Sequence, residues 1–421
     1  MLGATSPLAN QKQTISFCIS IILSLGIVNA SASPAKRAFS SGSMRSMARV
    51  YMACGSYEKA QPLLESALNL AKKTDTSESE VCACMIDLAY LYKYQGKLTE
   101  AETMCLQGLD MQRKINGQSH PYVAYTLRIL SEIYSRQARY HEAVCALEQA
   151  LTIMRDFTTE EDQELAPFKV DMARLLAAQG DYEKAETYFK DAITSIEKNF
   201  GPDHLYTAKV YNSMASLYTQ QGRYAGAEKL IDKALPIQER VHGPNHHLLI
   251  PAWLVKSKLY EAKDDMVNAK LFLEKSMSAV ENQQDSGDLI ESDVLSRYGE
   301  FYLLNKKYDM AEDTLQRALE ILENSVGTNN DRTAIALNYL ARVYINQGKY
   351  SKAQNLCSRA LNILESIFDE YHPDVADVLE TLVKLHRKTG NMTEVARLEQ
   401  RVEEIRVHKR VAYAPIAKAI Q

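Results

Sequence analysis

Residues 201–224 read GPDHLYTAKVYNSMASLYTQQGRY, and residues 327–350 read GTNNDRTAIALNYLARVYINQGKY. The two stretches start 126 residues apart, three times 42, and that interval runs through the chain. Gly55, Gly96, Gly180, Gly222, Gly348 and Gly390 are separated by 41, 84, 42, 126 and 42 residues. Ala138, Asp264 and Lys306 complete the ruler in QARYHEA, KDDMVNA and NKKYDMA, which align with QGDYEKA and QGKYSKA without a gap. Nine units therefore follow one another.

Other columns keep the same period. Seven residues before each mark stands a small residue: Ala48, Ala89, Ser131, Ala173, Ala215, Ser257, Gly299 and Ala341, with Val383 departing. Four before it stands Tyr51, Tyr92, Tyr134, Tyr218, Tyr260, Tyr302 or Tyr344, with Leu176 and His386 in the remaining two units. Five after it comes Ala60, Ala101, Ala143, Ala185, Ala227, Ala269, Ala311 or Ala353, and seven further on another small residue, from Ala67 and Gly108 to Ala360. Intervals of three, four and seven are helical, so each unit is predicted to be two amphipathic helices joined by a tight turn. The small columns mark where helices touch, because axes come closer than the usual 8–10 Å only where the contact side chain is minimal. The mark itself suits a left-handed residue ending the first helix, a conformation Gly adopts freely. Ala138 and Lys306 should each cost about 1 kcal/mol there, and Asp264 rather less.

This pattern resembles the tetratricopeptide repeat, and its 42-residue length resembles the kinesin light chain type of that repeat. The residues carrying the resemblance are Gly117-Gln-Ser-His120-Pro121-Tyr-Val-Ala124, Gly201-Pro-Asp-His204, His372-Pro373-Asp-Val-Ala376 and Leu337-Asn338-Tyr-Leu340-Ala341-Arg-Val-Tyr344. It spans about Gly42 to Arg406. A heptad coiled-coil region, which kinesin light chains carry before their repeats, is not found, so a kinesin subunit is not expected. The resulting fold is all-α: a right-handed α-solenoid of nine hairpins over 42–408, each burying its apolar stripe on its neighbours around a concave wall lined by the first helices.

Residues 1–32 differ from the rest. Lys12 precedes the apolar run ISFCISIILSLGIV at 15–28, and Ala30-Ser31-Ala32 offers a small-residue cleavage site before Ser33. A signal peptide is expected at 1–32, a linker at 33–41 and a short tail at 409–421, giving an exported protein with no stable membrane span after cleavage. A retained membrane anchor and a cytoplasmic adaptor are the alternatives. The 49 basic and 53 acidic residues leave a formal charge of -4, so neither nucleic acid nor anionic lipid is an expected partner.

On the first helices, ten residues before each mark, the wall reads Arg45, Ile86, Arg128, Val170, Asn212, Leu254, Ser296, Asn338 and Glu380; six before it reads Arg49, Tyr90, Glu132, Arg174, Ser216, Lys258, Glu300, Arg342 and Lys384. The resemblance implies that an Asn in the L-N-x-L-A element holds a peptide backbone, which Asn212 and Asn338 can do because an amide both donates and accepts. The candidate peptide groove is Arg128, Arg174, Asn212, Ser216, Lys258, Asn338 and Arg342, set against the alternative of a merely solvated wall. Pairing Asn212 with Arg174 and Asn338 with Arg342 would suit an extended or acidic peptide.

Nothing in the sequence calls for catalysis, a cofactor, a metal or a small-molecule substrate; an accessory subunit of an enzyme complex is the rival reading. His120, His204, His246 and His372 recur at one register, once per unit, and are expected to cap helices rather than to converge on a metal. Cys105 and Cys357 share a core register, and Cys82 and Cys84 lack a second ligand pair. Glu183-Lys184 and Glu228-Lys229 read as ordinary solvated charges. Trp253 reads as a packing variation, and ENQQDSGDLIES at 281–292 as a looser joint.

Overall fold

The computed structural model describes residues 40–413 apart from 54–55, 74–76, 160–161, 283–287, 326 and 369, with only the backbone described over 408–413. The expected signal, most of the expected linker and the core of the expected looser joint lie outside the described residues. Among the described residues there are eighteen α-helices and two short 3-10 turns. Units one to three are α1 (Ser41–Ala53) with α2 (Tyr57–Lys73), α3 (Glu78–Tyr94) with α4 (Leu98–Asn116), and α5 (Pro121–Arg136) with α6 (Tyr140–Arg155). Units four to six are α7 (Ala166–Gln179) with α8 (Tyr182–Phe200), α9 (Leu205–Gln220) with α10 (Tyr224–His242), and α11 (Ile250–Ala262) with α12 (Met266–Glu281). Units seven to nine are α13 (Asp288–Leu304) with α14 (Tyr308–Ser325), α15 (Asp331–Asn346) with α16 (Tyr350–Ile367), and α17 (Pro373–Thr389) with α18 (Met392–Tyr413). The last helix thus runs five residues beyond His408, where the repeat pattern stops.

The turns follow the ruler. Gly96, Gly180, Gly222, Gly348 and Gly390 have positive φ, and the non-glycine residues that share it among the described residues are Ala138, Asp264 and Lys306, at 56°, 62° and 58°. Three side chains accept a strained backbone because the hairpin geometry is imposed by packing on both sides.

The small columns are buried. Ala48, Ala89, Ala173, Ala215, Ser257 and Ala341 are shut off from water, as are Ala60 to Ala353 five residues after the turns. Of the two glycines in these columns, Gly108 and Gly299, space is tighter at Gly299, where a Cβ would meet Leu315 Cδ2 and Cγ at 2.4 Å. The columns therefore set how closely the helices of a hairpin approach. Cys105, Cys357, Cys82 and Cys84 are buried fillers, and Trp253 is among the largest side chains wholly inside the core.

The histidines cap. Nδ1 of His120, His204, His246 and His372 accepts the backbone N–H two residues on, from Tyr122, Tyr206, Leu248 and Asp374, at 3.1–3.2 Å. Asp162 and Asn330 do the same by Oδ1 in units four and eight. Each side chain satisfies one of the donors that a helix start leaves unpaired.

Candidate functional site

The first helices of successive units form the inner wall, and their side chains are more interlocked than the sequence suggested. Arg45 and Arg49 both bond Asp87 of the next unit, at 2.8 and 2.9 Å. Two units on the device repeats: Arg128 Nη1 donates to Asp171 at 3.0 Å, and Arg174 reaches the same carboxylate at 3.4 Å. Lys93 pairs with Glu132. Burial, with Glu132 nearby, pushes the Asp171 carboxyl up despite Arg128 and Arg174. Glu132 is held below the usual range by Lys93 and Arg128, which together outweigh its burial.

The candidate groove residues fall into two groups. Arg128 is occupied by Asp171 and lies over the Phe168 ring at 5.6 Å, so it joins neighbouring helices. Arg174 keeps 58% of its side chain exposed and donates to Ser213 Oγ in the next unit at 2.9 Å. Asn212 and Asn338, expected on an open face, are 8% and 7% exposed. Position ten before the turn is wedged between adjacent first helices, which explains Val170 and Leu254 at the same register. The amide Oδ1 of each Asn is enclosed and receives no hydrogen bond from a protein group. Leaving such an atom unpaired costs about 1–3 kcal/mol. Ser216 is half-buried, Lys258 is exposed, and Arg342 is half-buried with its guanidinium 5.5 Å from the Tyr339 ring. Among the described residues neither Lys258 nor Arg342 takes a carboxylate into a salt bridge. Arg342 and Lys384 do lie near Asp377, whose carboxyl is raised by burial and by Glu380. The seven residues line the wall over units three to eight rather than converging on one point.

The outer edge holds a recurrent contact that the sequence reading took for solvated charge. Six residues after the turn, Gln61, Glu102, Glu186, Glu228 and Glu312 accept from Lys97, Arg139, Arg223, Lys263 and Lys349, which stand beside the next turn residue, four of them just after it and Lys263 just before Asp264. Glu228 is therefore a bridge between units. Each of these five cations also stands over the tyrosine four residues before its own turn, from 3.8 Å at Arg223 and Tyr218 to 5.6 Å at Lys97 and Tyr92.

Stacked helical hairpins of one length, sharing one core and curving round an inner wall, define the class of helical repeat solenoids. A model of the MalT-like tetratricopeptide region matches residues 31–205, and a tetratricopeptide repeat model matches 206–282, 291–366 and 332–406. The chain belongs to the tetratricopeptide repeat proteins, and its 42-residue unit resembles that of the kinesin light chain type. Among solved structures it is similar to a Rap protein complexed with Competence and Sporulation Factor, with 12% identity, TM-score 0.59, and 88% of this chain and 98% of that one covered. It is also similar to the apo form of the quorum sensor NprR from B. thuringiensis, with 13% identity, TM-score 0.51, and coverage of 85% and 94%. A third is BtubC (BKLC) from P. vanneervenii, with 22% identity, TM-score 0.43, and coverage of 54% and 92%. No curated protein sequence matches the chain.

Proposed function

We propose that this protein is a non-catalytic scaffold whose inner wall, over units five to nine, binds an extended and acidic segment of a protein partner. The observation that carries the reading is the pair of amides at Asn212 and Asn338, each with an enclosed oxygen that no protein group satisfies. An apolar residue would avoid that cost, as Val170 and Leu254 do. An amide suits the position when a peptide backbone presents both a donor and an acceptor to it. Lys258, Arg342 and Lys384 supply the positive charge along the same stretch, whereas in units one to four the arginines are largely taken up by Asp87 and Asp171. We further propose export, with Ser33 as the first residue of the mature chain.

The test is selection of displayed random peptides against the full chain, with affinities then measured for Asn212→Ala, Asn338→Ala and the double variant. Acidic, extended peptides should be enriched. The double variant should lose about tenfold or more in affinity, since each lost hydrogen bond is worth about 1 kcal/mol. Equal affinities for wild type and double variant would remove the wall from consideration.

A further inference from the structure

Helical arrays of this kind make contacts between neighbours, yet one set of contacts here spans six units. Asn330, 1% exposed at the start of unit eight, donates by Nδ2 to the carbonyl of Gln95 in the turn of unit two. Its Oδ1 meanwhile caps α15. Arg136 at the end of α5 pairs with Asp331, and its own carbonyl lies 3.2 Å from His372 Nε2 in unit nine. Because His372 Nδ1 is already an acceptor, the ring carries its proton on Nε2 and donates it to Arg136. Tyr57 of unit one packs on Leu289, Leu322 and Ala336 of units seven and eight. Asp293 keeps about half its side chain open to water, yet surrounding protein and Asp331 push its carboxyl up, with Arg332 opposing at 3.4 Å.

The local sequence departs from the repeat at this seam. Unit eight has Asn330-Asp331 where units three and nine have His-Pro, and Asn330 supplies a second donor besides its cap. Gly96 is singular among the turn glycines of the described residues: an added Cβ would meet Asn330 Nδ2 at 2.1 Å and Asp331 Oδ1 at 2.7 Å, whereas at Gly222 and Gly348 it would meet nothing within 4 Å. Apart from Tyr57 on Leu289, Leu322 and Ala336, the contacts of the seam are polar, and polar groups can exchange their partners for water when it opens.

We propose that a latch between the turns of units two and three and the helix starts of units eight and nine closes the superhelix on itself, and that this latch opens to admit a partner to the inner wall. The admission step rests on the proposed binding function; the latch does not.

Gly96, Gly222 and Gly348 all have φ of 74°, so replacing each by Ala imposes the same backbone strain, and only the first replacement collides with the latch. Small-angle scattering of the three variants should show expansion for Gly96→Ala alone, on the order of a tenth of the radius of gyration expected for a chain of this length. A Gly96→Ala variant as compact as its two controls overturns the latch. Should Gly96→Ala fail to fold, Arg136→Glu, Asp331→Arg and the double reversal decide. The singles should expand and the double return toward wild-type dimensions, and singles that match wild type again overturn the latch. For admission, the probe is a fluorescein-labelled, end-blocked glutamate-rich decapeptide, expected to associate several-fold faster with the opened variant than with Gly222→Ala or Gly348→Ala. Equal association rates reject gating, while absence of binding to all variants counts against the acidic-segment reading and leaves scattering to decide the latch.

Discussion

The guanidinium carbon of Arg223 stands 3.8 Å from the centre of the Tyr218 ring while the same group pairs with Glu186 of the preceding unit. Tyr218 also donates its hydroxyl to Glu186 at 2.8 Å. One carboxylate thus gathers a cation and a phenol from the next hairpin, and the cation's bond to the preceding unit and its place over a tyrosine recur at four other joints, with Gln61 standing for the carboxylate at the first. It sets the spacing of the outer edge as the small columns set that of the core.

Replacing Glu186 by Gln should therefore lower stability modestly, by about 1 kcal/mol or less, because the pair is near solvent. Arg223, Lys190 and Tyr218 hold the Glu186 carboxyl down at about 2. A depressed carboxylate contributes stability above its unfolded pKa and loses it as pH falls toward the folded value. Urea titrations of wild type and Glu186→Gln should differ at pH 7 and converge below about pH 4 toward pH 2. A gap that persists unchanged at pH 2 contradicts the ionic account.

The strained turns make an opposite prediction. Ala138→Gly and Lys306→Gly should each stabilise the chain, by about 0.5–1 kcal/mol, since the left-handed backbone at φ 56° and 58° no longer costs a Cβ clash. The gain is limited by the greater freedom of Gly in the unfolded chain. A rise in thermal midpoint for both would agree; a fall would show that the side chains make compensating contacts.

Gly299 tests the close approach from the other side. Gly299→Ala drives a methyl into Leu315, and overpacking of this kind costs about 1–3 kcal/mol. Gly299→Ala combined with Leu315→Val should recover part of that loss in the same denaturation experiment. If the single substitution were neutral, the helices of unit seven would have slack that the geometry denies them.

These features were legible to different degrees for physical reasons. The turns at Ala138, Asp264 and Lys306, the caps at His120 and His372, and the buried alanines are local and repeated, so one period exposes them all. The bridge at Glu228 was equally periodic, six residues past the turn, and was missed because Glu-Lys neighbours resemble solvated charge on any helix. Asn212 and Asn338 were found at the right register but placed on an open face, because the width of the gap between adjacent first helices depends on packing that a single helix pattern does not contain. The contact of Asn330 with Gln95 was out of reach. It depends on the pitch of the whole superhelix, which sums small rotations over six units.

Export is checked at the N-terminus. The run at 15–28 followed by Ala30-Ser31-Ala32 predicts removal of 32 residues, so N-terminal sequencing of the protein from its natural source should begin at Ser33. An intact Met1 would favour a retained anchor or a cytoplasmic protein.

Asp374 provides a pH prediction at the closed seam. Burial, Asp331 and Asp377 together push its carboxyl up to about 6, against the pull of Arg136. The folded state therefore favours the protonated acid, and this contribution to stability is complete below the ordinary value of 3.8 and lost as pH rises through about 6. Asp374→Asn is neutral at every pH and mimics the favoured form. Relative to wild type, the variant should gain stability between about pH 4 and pH 6 and hold that advantage above it. With part of the side chain open to water, the effect is reduced by screening, so the shape of the difference across pH is more telling than its size. A difference that is flat from pH 4 to pH 7 would mean that Asp374 does not feel its neighbours across the seam, and the carboxylates of units eight and nine would have to be treated as independent.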